Sequence, residues 1–158
     1  MINGINSREM ILEILLEIEE GEHSHVAIRN ALSKYQFLPK QDRAFITRVC
    51  EGTLEYRIQI DYIINSFSKV TVDKMKPAIR EILRSAVYQL KYMDSVPVHA
   101  VCNEAVKLAQ RKGFYNLKPF VNGVLRTIAR EIGNLELPLR EENEVRYLSV
   151  KYSMPEYL

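Results

Sequence analysis

At 158 residues the chain fits one domain, and with 47% apolar and 27% charged residues it can build a core, which excludes a disordered tail. The 22 basic residues are nearly balanced by 20 acidic ones. That excludes a globally basic nucleic-acid binder, so any anion-binding surface has to come from local segregation of charge. No apolar run is long enough to span a bilayer, and the N-terminus lacks the basic segment and apolar core of a signal peptide. A cytoplasmic location with no membrane partner is the expectation. Cys50 and Cys102 are isolated and read as reduced core thiols. His23 and His25 lie two apart, do not share a helix face, and make a poor metal-ligand pair.

Apolar residues recur at helical spacing almost throughout. A first helix is predicted from Ser7, with Asn6 as its N-cap and Glu9 three residues on. Its core stripe is Ile11, Ile14, Leu15 and Ile18, and Gly21 stops it. A second follows Ser24 and buries Ala27, Ile28, Ala31 and Leu32. Pro39 opens a third, on which Phe45, Ile46, Val49, Thr53 and Tyr56 share a face with Gly52. A mid-helix glycine costs about 1 kcal/mol against alanine, so a close approach of another helix is expected there. A break near Arg57 precedes Ile60, Ile63, Ile64 and Phe67.

Pro77 suits a first turn, and its helix buries Ile79, Ile82, Leu83, Ala86 and Leu90. Pro97 opens a helix carrying Val101, Ala105 and Leu108, closed by Gly113. Pro119 opens one carrying Val121, Val124, Leu125, Ile128 and Ile132, closed by Gly133. The fold class expected is all-α, a bundle of about seven helices with short loops. Residues 135–139 read as a linker and 141–151 as one more amphipathic helix. Pro155 looks like the first turn of a helix that is not completed, so the chain reads as continuing. The expected division is a helical domain over 1–133, then a linker and the start of a further part over 134–158.

Three segments carry a family resemblance. They are Asp42 to Phe45 with Glu51 to Leu54, Val96 to Ala100 with Asn103 to Val106, and Phe120 to Arg126. Together they resemble the NusB family, from about Ile5 to Gly133, the last segment being the most specific. The resemblance implies a NusB-like helical bundle and one of two branches. One is the free antitermination factor, which binds a leader RNA together with a ribosomal protein. The other is the N-terminal domain of the Sun/RsmB-type enzyme, which makes 5-methylcytosine in small-subunit rRNA. The stretches Thr53 to Arg57, Pro97 to Ala100 and Leu148 to Leu158 look more like the enzyme. The first helix also departs from the antiterminator's basic one, because Glu9, Glu13, Glu17 and Glu20 lie opposite its core stripe.

The enzyme branch needs a Gly-rich loop after a strand for S-adenosylmethionine and a cysteine in a Pro-Cys setting. Here Gly4, Gly21, Gly52, Gly113, Gly123 and Gly133 never cluster, and neither cysteine follows a proline. No catalytic, cofactor-binding or metal-binding residues are therefore expected in this chain, and S-adenosylmethionine is expected only for a longer parent. The implied role is an RNA-binding accessory domain whose partners are rRNA and the parent's own methyltransferase part, with a ribosomal protein added on the antiterminator branch. The rivals are a protein-docking module that touches no RNA and the free antiterminator itself.

For RNA contact the densest basic stretch is Lys107, Arg111, Lys112 and Lys118. On the Pro77 helix, Arg80, Arg84 and Lys91 project to one flank with Tyr88 nearby, a pattern suited to phosphate contact and base stacking. Arg126 and Arg130 form a further four-apart pair. An ordinary solvated face, with these cations paired to carboxylates, would give the same pattern. His99, Asn103, Glu104 and Asn122 are expected to make loop and helix-end hydrogen bonds, and Asp42 to cap a helix or offset its dipole.

Overall fold

The computed structural model describes residues 6–135, 144–153 and 155. Regular structure among them is all helical. The first helix, α1 (Ser7–Glu19), starts where the Asn6 side chain accepts the Glu9 N–H at 2.8 Å. Its chain turns away at Gly21, whose φ of +116° suits glycine alone. Next come α2 (Ser24–Lys34), α3 (Lys40–Glu55) and α4 (Arg57–Phe67). The expected break between the last two is a single residue, Tyr56, at φ −102° and ψ 21°. Then follow α5 (Pro77–Tyr92), α6 (Val98–Arg111) and α7 (Lys118–Glu131). These seven are the expected bundle. An eighth, α8 (Glu144–Tyr152), falls in the stretch expected to be helical. The expectations for residues 136–143 and 156–158 lie outside the described residues. No helix among those described is long and apolar enough to cross a membrane.

The sequence places α5 at the centre. It touches α1, α3, α4, α6 and α7, and every residue from Glu81 to Gln89 is buried. A helix covered on all sides needs partners for its polar groups. Gln89 accepts from Arg8 of α1 at 3.1 Å and donates to the Ser85 carbonyl at 3.1 Å. Arg84 donates twice to Asp61 of α4, at 2.8 and 2.9 Å, and once to Glu81 at 2.7 Å. Burial opposes the guanidinium's charge, but Asp61 and Glu81 outweigh it and hold its pKa above the ordinary value. Burial is the largest influence on the Glu81 carboxyl and raises its pKa, although Arg84 pulls the other way.

Tyr88 lies against Gly52 of α3. A Cβ built on Gly52 would clash with the hydroxyl-bearing edge of the Tyr88 ring, which is the close approach the mid-helix glycine implied. Tyr88 is 7% exposed and so is not the exposed aromatic expected beside Arg84. Cys50 and Cys102 are free and buried, and burial pushes both thiols up, so they stay protonated.

The last helix docks on α4. Val150 is buried, and the Gln59 side-chain amide donates to the Lys151 carbonyl at 2.9 Å. The Gln59 backbone N–H donates to Ser153 Oγ at 3.2 Å, and the Tyr92 hydroxyl donates to Gln59 Oε1. One buried glutamine of α4 thus satisfies a carbonyl that α8 leaves open at its C-terminal end.

Candidate nucleic-acid interface

The basic residues named from the sequence fall into three kinds of environment. Arg84 is interior: at 7% exposure and bound to two carboxylates, it has no surface to offer a phosphate. The expectation that it projects to a solvent flank is corrected. The α5 flank meets α4, and Asp61 neutralises the cation there.

A second group stands at the surface but is paired. Arg80 donates to Glu19 and, at 2.9 Å, to the Met75 carbonyl. Arg111 donates to Glu9 at 3.2 Å, and Lys112 pairs with Glu13. Lys107 reaches Glu104 at 3.4 Å with its side chain 60% exposed, and Arg130 reaches Glu131 at 3.2 Å. The first three pairs all tie into α1. Its acidic face is therefore not bare: part of it is set against the cations of α5 and α6.

The third group keeps its charge. Lys118 donates to the Gln110 amide oxygen at 2.9 Å, and its ammonium lies 4.6 Å from the centre of the Tyr115 ring. Tyr115 is 63% exposed in the turn before α7. A cation over an exposed ring can meet a phosphate and a base together. Tyr115 escaped the sequence reading, although an aromatic between Lys112 and Lys118 was the available signal. Arg126 donates to Asn122 at 3.2 Å and to Asn103 at 3.1 Å. The two asparagines thus brace α7 against α6 through Arg126 rather than bonding helix ends. Asp42 sits in the first turn of α3 without capping it, since Pro39 holds the N-cap position.

Among the described residues there is no strand, and Gly21, Gly52, Gly113, Gly123 and Gly133 occupy separate helices and turns.

The fold and this rim together define an all-α helical bundle bearing cations along its α6–α7 edge. The chain belongs to the NusB family, whose model matches residues 5–130. A probable ribosomal RNA small subunit methyltransferase B of Bacillus subtilis (strain 168) is 33% identical over 153 residues, which is 96% of this chain and 33% of that protein. The chain thus spans about a third of the length of that methyltransferase. The transcription antitermination protein NusB of Bacillus velezensis (strain DSM 23117 / BGSC 10A6 / LMG 26770 / FZB42) is 34% identical over 127 residues, 80% of this chain and 95% of that one. A chain from a solved structure of antitermination factors NusB and NusE in complex with dsRNA shares the fold. Its TM-score is 0.72 at 21% identity, covering 78% of this chain and 93% of that one.

Proposed function

We propose that this chain is the RNA-binding accessory part of an S-adenosylmethionine-dependent methyltransferase that makes 5-methylcytosine in small-subunit rRNA. The observation that carries the reading is the reach of the similarity. It extends over 96% of the chain to the methyltransferase, against 80% to the antitermination protein. At 96% coverage the match to the methyltransferase takes in the segment that folds as α8 and docks on α4. The chain itself supplies binding, not chemistry. Its contacts are Lys107, Lys118 and Arg126, backed by Tyr115, because their charges are the least compensated of those on the α6–α7 edge. Arg111, Lys112 and Arg80 contribute only when their carboxylates let go.

Reading the gene past the codon for Leu158 tests the enzyme branch. A strand followed by a Gly-rich loop and a Pro-Cys motif is expected. A stop codon there would overturn it in favour of an antitermination-type factor. RNA binding is tested by anisotropy of a labelled small-subunit rRNA fragment at two salt concentrations. Lys107→Glu with Lys118→Glu should weaken binding and lower the logarithmic salt slope by roughly 0.7–0.9 for each lost phosphate contact. A chain that binds no rRNA would leave the docking-module reading in its place.

A further inference from the structure

Four further exposed cations lie elsewhere, between α2 and α3. Two adjoining hollows there share Leu32, Arg43, Thr47 and Glu51, so they form one groove; the larger has a volume of ≈ 710 Å³. Lys40 and Arg43 line it from the first turns of α3, at the positive end of the helix dipole, and Arg48 lines it from the middle of that helix. Arg29 lines it from α2. All four are exposed, and none is within ion-pair distance of a carboxylate among the described residues. Arg48 is held in place by donating to the Tyr92 carbonyl at 2.9 Å. The acids of the groove, Glu51 and Glu55, stand in the C-terminal half of α3. Lys40 and Arg43, at the start of α3, mark the cationic end of the groove and Glu55 its acidic end, while Glu51 lies between them and lines both hollows.

The turn that joins its two walls carries Phe37, 52% exposed and edge-on to Tyr35 at 5.9 Å. Free cations in a trough beside a solvent-facing ring suit a strand of phosphates with unstacked bases. A carboxylate alone would answer the cations only, whereas a nucleic-acid strand offers phosphates and base faces at regular spacing. We propose that the cationic end of the α2–α3 groove holds the backbone of single-stranded RNA, with a base stacked on Phe37. The inference rests on the RNA-binding reading above and adds to it a second site, separate from the α6–α7 edge.

The test uses the full chain and a labelled, unstructured RNA oligonucleotide, read by anisotropy at two salt concentrations. Arg29→Gln with Arg43→Gln should weaken binding at least about tenfold and lower the salt slope by roughly 0.7 for each lost contact with a single strand. Phe37→Ala should weaken binding by about five- to a hundredfold with the slope unchanged, since stacking releases no counterions. The Arg43→Lys control should bind almost as the parent does. Circular dichroism confirms that these surface changes leave the helices intact. If the parent binds RNA and the groove variants bind equally well, the groove is not a site, while the wider RNA reading stands. If the parent binds no RNA at all, the wider reading falls first and the groove with it. Displacement of the oligonucleotide by an equal charge concentration of an acidic peptide would overturn RNA as the occupant.

Discussion

Arg84, Asp61 and Glu81 show how a few residues decide what a helix face is for. One guanidinium answers two carboxylates inside the α4–α5 seam, so ionising both leaves a negative charge over in a buried place. Burial is the largest influence on Glu81 and raises its pKa. The folded state therefore holds that proton more tightly than the unfolded chain does. The stability this confers is complete below the ordinary carboxylate range. It is lost as pH rises through the raised folded value. Glu81→Gln removes the loss, while Asp61 still neutralises Arg84. The stability of the variant relative to the parent should rise between acidic and neutral pH, as measured by urea unfolding. A difference that stayed flat or fell with pH would count against the charged, buried carboxylate. None of this was legible locally. Arg84 sits on a polar flank of α5, and its partner Asp61 lies 23 residues earlier on another helix.

At the scale of elements, the crossing of α3 and α5 is the feature that sequence conveyed best. A glycine in the middle of a helix is locally unfavourable, so its presence at position 52 asked for a neighbour, and Tyr88 is that neighbour. Gly52→Leu should destabilise the bundle by ~1–3 kcal/mol through overpacking, measured by thermal or denaturant unfolding. An unchanged midpoint would mean that α5 can retreat from α3 at no cost. The helix starts at Asn6 and Pro77, the break at Tyr56 and the stops at Gly21 and Gly113 were readable for the same reason: each is written within a few neighbouring residues. The docking of α8 was not. Its amphipathic pattern was visible, but the anchor, Gln59, looks in sequence like any polar residue of α4. Only its burial and its bond to the Lys151 carbonyl reveal the role.

Across the whole molecule, charge is arranged by partners far apart in the chain. Density along the sequence pointed to Lys107 through Lys118, yet Arg111 and Lys112 answer carboxylates about a hundred residues earlier. Arg29, Lys40 and Arg43 are sparse in sequence, and it takes two helices to bring them to one groove. Glu9 and Glu13 stand one helical turn apart on α1 and hold Arg111 and Lys112 of the α6 end. They present to those cations what two successive phosphates of a nucleic acid would present. On the RNA-binding reading proposed above, α1 carries a built-in decoy: an incoming strand would have to displace a resident imitation of itself. Exposed pairs of this kind are weak, so the decoy lowers apparent affinity only by the fraction of time the cations are occupied. Glu9→Gln with Glu13→Gln should therefore tighten rRNA binding by about two- to fivefold, a gain from deleting contacts rather than adding them. Equal affinity in an anisotropy titration would show that Arg111 and Lys112 belong to α1 alone.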